Sequence, residues 1–138
     1  MPILSLDVGT KKIGVAYSEY GLLADEFCTI NYTSQLQAIT EILFLIKNKK
    51  VDKLIIGLPC YASGTDSNQT NHVRDFSKKL EEKIKSSKID AQILFEDEEL
   101  TTKEAERILF SQGKSLEVVR ERRDQLAAKL ILDQYLNR

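Results

Sequence analysis

The sequence predicts an α/β fold: a five-stranded mixed sheet flanked by helices. Three observations carry this expectation. Three strand-like runs open the chain with only turns between them, helical and strand-like periodicities then alternate, and two apolar runs end in carboxylates.

The first run, Ile3, Leu4 and Leu6, ends in Asp7, turns through Val8-Gly9-Thr10-Lys11-Lys12 and resumes as Ile13-Gly14-Val15-Ala16. This reads as a hairpin of two buried strands around a tight polar turn. A third strand is expected over residues 22–30, diluted by Ala24-Asp25-Glu26. Three strands in succession suggest an antiparallel meander. Ser34 with Gln37 resembles a capping box, and Leu36, Ile39, Ile42, Leu43 and Ile46 then recur at helical spacing as one core-facing stripe. A short strand over residues 51–57 breaks at Leu58-Pro59 into a polar loop, 60–69. A second helix over about 70–85 puts Val73, Phe76, Leu80 and Ile84 on one face, and a fifth strand, 89–95, runs into Glu96-Asp97-Glu98-Glu99. Thr101-Thr102-Lys103-Glu104 reads as a capping box opening a third helix through Phe110, with Gly113 stopping it. The basic stretch 114–123 then leads to a last helix over about 124–136. Helices between strands three, four and five act as crossovers, so the antiparallel opening should give way to parallel pairing. Ligands in such sheets gather at the carboxyl ends of the parallel strands.

With 138 residues, 42% of them hydrophobic, one globular domain over 1–138 is expected. Apolar stretches such as 42–46 are too short to span a bilayer, and no signal or presequence pattern is read at the amino terminus. A cytoplasmic protein without a membrane partner is therefore expected, with Cys28 and Cys60 as free thiols outside any zinc-ligand pattern. A net charge of −1 and a pI near 5.9 supply no global basic field. Nucleic-acid binding would have to rest on a local patch.

Burying a lone carboxylate at the end of an apolar strand costs several kcal/mol unless it is paired, hydrogen-bonded or metal-bound. Asp7 is in that position, and Asp97 and Glu98 end the fifth strand in the same way. Acidic groups at neighbouring strand ends repel one another unless a cation lies between them, and oxygen-only ligands suit Mg²⁺ or Mn²⁺. Asp124 offers a third carboxylate ahead of Ala127 and Ala128, small residues that would let a helix pack close to the sheet. An aspartate also suits a helix amino terminus, and spacing does not choose between the two roles.

The segments LDVGTKKIGVAYS (6–18), IIGLP (55–59) followed by Gly64, Gln69-Thr70 and VRDF (73–76), DEELTTKEAE (97–106) and RRDQLAAKLILDQYL (122–136) together resemble the YqgF-like (RuvX-like) family, over nearly the whole chain. That family has an RNase H-like fold and is associated with maturation of the precursor of 16S ribosomal RNA and with Holliday-junction resolution. The resemblance implies a metal-dependent nuclease whose catalytic and metal-binding carboxylates are Asp7, Glu98 and Asp124, served by two Mg²⁺ (or Mn²⁺) ions. It further implies structured RNA or branched DNA as partner, bound by a monomer or homodimer. Beside those carboxylates, Thr10, Lys11 and Lys12 are candidates to hold a phosphate, as are Arg74 and the basic cluster Lys114, Arg120, Arg122 and Arg123. Few aromatic residues accompany them, which favours reading of backbone or duplex shape. His72 is expected to face solvent. Three positions depart from the family pattern: Glu99 stands where an arginine is usual, Glu19 where an aspartate is usual, and Gly57 ends its strand without the acid that many RNase H-like nucleases carry there.

Two other readings share these residues. A strand followed by Asp7-Val8-Gly9-Thr10 also begins the sugar-kinase, Hsp70 and actin ATPases, which clamp nucleotide between two domains where 138 residues supply one. A non-catalytic RNA-binding module on the same fold is the other.

Overall fold

The computed structural model describes residues 1–59, 68–98 and 101–138, with the side chains of Glu98, Thr101 and Thr102 outside that description. The loop expected over 60–69 falls largely outside it, as do Cys60, Glu99 and the capping contacts expected of Thr101. The elements are β1 (Ile3–Val8), β2 (Lys12–Ser18), β3 (Asp25–Asn31), α1 (Gln35–Lys49), β4 (Lys53–Pro59), α2 (Asn68–Ser86), β5 (Gln92–Glu98), α3 (Thr101–Ser111) and α4 (Leu116–Leu136). They form one sheet ordered β3-β2-β1-β4-β5, antiparallel across β1, β2 and β3 and parallel across β1, β4 and β5. The expected mixed sheet is borne out. β1 is central and lies where the connection direction reverses, so its carboxyl end opens onto the crevice between β4 and the β1–β2 turn.

Strand alternation divides the core into two faces. Leu4, Leu6 and Val8 of β1 pack with Ile13, Val15, Leu54 and Ile56 beneath α1 and α2, where Ile42, Ile46, Phe76 and Leu80 are fully enclosed. The opposite face belongs to α4: Ile3, Ala16 and Ile55 meet Ala128, Ile131 and Leu132, and α3 packs outside α4 through Ala105, Leu109, Val119 and Leu126.

α4 lies unusually close to the sheet. A Cβ on Gly14 would stand 1.9 Å from the Asp124 carbonyl oxygen and 2.3 Å from its carbon, so main chain rests directly on main chain there. One helical turn later Ser5 Oγ donates to the Ala128 carbonyl at 2.7 Å, in a buried contact. Small residues on both partners permit this approach, as Ala127 and Ala128 suggested.

Four expectations are corrected. Leu36 is 60% exposed and off the α1 stripe; Ala38, Ile39, Ile42 and Ile46 make the buried face. The third strand starts at Asp25, leaving Leu22 and Leu23 in the exposed turn, because pairing with β2 ends at Tyr17 opposite Asp25. β5 includes the acidic residues through Glu98, since its ladder with β4 continues to Pro59. Within it Glu96 is 1% exposed. Gln134 Nε2 donates to its carboxylate at 2.6 Å, and Arg138 both donates from Nε to Oε2 at 3.3 Å and brings Nη2 to 2.7 Å from Oε1. Finally, α4 begins at Leu116 behind the N-cap Ser115, whose hydroxyl accepts from Val118 N–H at 3.3 Å. The stretch read as a basic connector is helix because Arg and Glu are strong helix formers and Val119 anchors it against α3.

Gly14→Ala should cost about 3 kcal/mol, a fall of roughly 10 °C in Tm, because the added methyl meets immobile backbone. Thermal and urea unfolding of the two proteins check this.

Candidate active site

Asp7 closes the buried stretch of β1 and is 9% exposed. Its cross-strand partner on β2 is Gly14. Directly opposed residues present their side chains on the same face, and residues two apart on a strand share a face. Ser5, two before Asp7, reaches α4, and Gly14 touches Asp124 of α4. The Asp7 carboxylate therefore emerges toward Asp124.

Asp124 sits two turns inside α4, not at its start, so the helix-start role is excluded. Its carboxyl is half-buried. Burial pushes its pKa up, with Glu106 acting the same way, against the pull of Arg123 and Lys12. Glu98 ends β5 opposite Pro59, at the carboxyl end of the parallel strands. Strand pairing and the Gly14 contact thus place Asp7 beside the Asp124 main chain, and the backbone carries Glu98 to the same end of the sheet. No trio of His, Cys, Asp or Glu converges among the described residues.

The β1–β2 turn that borders these carboxylates is firmly built. Gly9 N–H donates to the Lys12 carbonyl at 2.9 Å, and a Cβ on Gly9 would stand 2.7 Å from that oxygen. Tyr32 holds the turn from outside: its N–H donates to the Lys11 carbonyl at 3.0 Å and its hydroxyl donates to the Gly9 carbonyl. Its ring stacks at a tilt on buried Phe76, 6.4 Å between centroids. His72 Nε2 lies 3.4 Å from the Tyr32 hydroxyl and the residue is half-buried, where a solvent-facing residue was expected. Thr10, Lys11 and Lys12 are exposed on this turn.

The remaining basic candidates separate. Arg122 is occupied by Glu26 of β3 at 2.8 Å, which tethers α4 to the sheet edge and raises the guanidinium pKa. Arg123 lies 3.8 Å from Glu106 and beside Asp124, whereas Arg120 is exposed on the first half of α4. Lys114 is exposed between α3 and α4, and Arg74 is exposed on α2, on the other side of the sheet. Sequence reasoning missed Gly14, Ser5, Tyr32 and Glu96. Only Gly14 carried a signal, since an isolated glycine in an apolar strand marks a bulge or a close backbone approach.

A family model described as RuvX, Holliday junction resolvase, matches residues 1–138. Relatives named "Putative pre-16S rRNA nuclease" from Lactococcus lactis subsp. cremoris (strain MG1363), Rickettsia typhi and Crocosphaera subtropica are 35%, 37% and 39% identical to this chain. They cover 98%, 99% and 97% of it and 93%, 85% and 91% of their own lengths. Among solved structures, Thermus thermophilus RuvC in complex with a Holliday junction substrate superposes with a TM-score of 0.60 at 12% identity, covering 99% of this chain and 95% of that one. That likeness bears out the RNase H-like fold. With its sheet order, the setting of Asp7 and a family match that runs from end to end, the chain belongs to the RuvX (YqgF-like) family.

Proposed function

We propose that this protein is a divalent-metal-dependent endonuclease that hydrolyses phosphodiester bonds in structured nucleic acid, with the precursor of 16S rRNA as its substrate. The observation that carries the reading is the seating of the Asp124 main chain on Gly14, the cross-strand partner of Asp7, which brings the half-buried residue Asp124 to the carboxyl end of the central strand. Carboxylates gathered at one strand end would repel without a cation between them, and the oxygen-only donor set fits Mg²⁺ or Mn²⁺. Asp7, Glu98 and Asp124 would hold two such ions. The ions supply Lewis acidity toward the phosphodiester oxygens and an activated water.

The chain's own residues do the positioning. The turn kept in shape by Tyr32 presents Lys11 and Lys12 to the backbone phosphates, and Arg120, Lys114 and Arg123 extend the cationic edge along α4. Arg122 serves the fold through Glu26. No described helix is long and apolar enough to cross a membrane.

A second reading, resolution of branched DNA, is favoured by the description of the matching family. It requires two sites acting across a symmetric substrate, hence a homodimer, a requirement that cutting one RNA strand does not impose.

Purified protein should cleave precursor 16S rRNA with Mg²⁺ or Mn²⁺ and not with EDTA, and Asp7→Asn or Asp124→Asn should slow cleavage by about 100-fold or more. Metal-independent cleavage, or equal rates in the variants, would overturn the reading; preferential cutting of a four-way junction by a dimer would transfer it to DNA.

The carboxyl of Asp124 also predicts a stability signature. Its pKa is raised in the folded state, so the fold favours the protonated form; that advantage is complete below the ordinary aspartate range and is lost as pH rises through the raised value. In metal-free buffer at pH 7, Asp124→Asn should therefore have the higher Tm, and the difference should close on acidification. Saturating Mg²⁺ should reverse the order, since the ion stabilises the folded carboxylate form. Calorimetry in EDTA and in Mg²⁺ checks both signs.

A further inference from the structure

Beside the β1–β2 turn, at the foot of α1, lies a cavity of about 320 Å³ lined by Lys11, Lys12, Asn31, Tyr32, Thr33 and Gln37. Its chemistry is one-sided. Its lining residues include two lysines and two primary amides and no carboxylate, around a wall that is mostly carbon. Neither lysine makes an ion pair or a side-chain hydrogen bond among the described residues, although paired lysines occur elsewhere on the surface, as in Lys79 with Asp75 and Lys129 with Asp133. The Gln37 amide is oriented by its cap: its Oε1 accepts from Thr33 N–H at 3.1 Å and Thr33 Oγ1 at 3.3 Å, which leaves the NH₂ as the group it can offer to a ligand. The walls are preorganised, because Tyr32 holds both the Lys11 and Gly9 carbonyls while Lys12 pairs across the strands with Asn31. A concavity bordered by cationic and amide side chains, with no carboxylate among its lining residues, suits an anion at its rim.

We infer that this cavity is a second phosphate site, which takes a non-scissile backbone phosphate of the nucleic acid a few nucleotides from the bond that is cut. The inference rests on the endonuclease reading for its ligand. Lys12 joins the two places: it lines the cavity and its charge acts on Asp124. Adjacent strands are about 4.8 Å apart, and the cavity borders β2 and β3 while Asp7 stands on β1, so the two sites lie within a few phosphate spacings of one strand. Asn31, Thr33 and Gln37 thereby join the substrate interface as positions that set where the bound strand runs.

The test uses the full chain carrying Asp7→Asn, so that binding is read without cleavage. Fluorescence anisotropy measures its affinity for a labelled RNA stem-loop and a labelled four-way DNA junction over a range of salt concentrations. Gln37→Glu keeps the capping oxygen but replaces the donor with a negative charge, and Lys11→Gln removes one cation. Each is expected to weaken binding about tenfold, with Lys11→Gln lowering the salt slope by about one contact, whereas Lys47→Gln at the far end of α1 has no effect. Unchanged Tm values confirm that the cap survives. Affinities within twofold of the parent, or no binding by the parent, would overturn the inference. So would inorganic phosphate that raises Tm in the parent but not in Lys11→Gln while leaving nucleic-acid affinity untouched, since that marks a free-phosphate site. If the variants weaken binding but the unmutated protein cleaves neither nucleic acid, the cavity stands and the nuclease reading falls. Cleavage by the unmutated protein with binding unaltered in the variants leaves the nuclease and removes the cavity.

Discussion

The contact on which the site depends is backbone against backbone: the carbonyl of Asp124 resting where Gly14 has no side chain. A helix packed on a sheet by ordinary side chains stands about 10 Å from it, too far for a carboxylate on the helix to share ligands with one on the strand beneath. The glycine removes that spacing at one point. Ser5 bonding to the Ala128 carbonyl then fixes the rotation and slide of α4, one turn along. Asp7 and Asp124 are neighbours because Gly14 is the cross-strand partner of the first and the floor beneath the second. The far end of α4 is held to the sheet separately, where buried Glu96 is met by Gln134 and Arg138.

Most of the architecture was legible because it follows periodicity. β1 is covered on both faces and reads as a nearly continuous apolar run, whereas α1 and α2 show stripes interrupted by charge. The failures cluster where burial and polarity diverge. Glu96 looked like the end of a strand and is its buried interior, since the groups that neutralise it come from residues 134 and 138 and leave no local trace. Residues 114–123 looked like a connector because charge hides a helix whose buried positions, Val119 and then Leu126, are seven apart. That error mattered for function: with α4 starting at Leu116, Asp124 loses the capping role that sequence alone allowed it.

Of the candidate site, the acids could be named from the sequence, whereas the packing around them could not. Asp7 stood out as a carboxylate ending an apolar strand, and the resemblance supplied Glu98 and Asp124. The residues that hold the turn do not resemble site residues at all. Tyr32 sits just past β3 and Gln37 just inside α1, and their roles arise from where the meander delivers them, against the Gly9–Lys12 turn.

The distribution of cations follows the same logic of support versus function. Arg122 and Arg138 are committed to acids of the sheet, Glu26 and Glu96, and so stabilise the frame. Lys11 and Lys12 are left without ion-pair partners among the described residues, although an acidic neighbour for Lys12 is at hand in Asp124. With its ammonium screening that carboxylate from a distance instead of pairing with it, Lys12 keeps its donors available, and any divalent ion that takes over the neutralisation of Asp124 frees the lysine's field for phosphate. A direct Lys12–Asp124 ion pair would have competed with both ligands at once. On the proposed function, the separation of the two groups is the feature that would let one small surface accept a cation and a polyanion together.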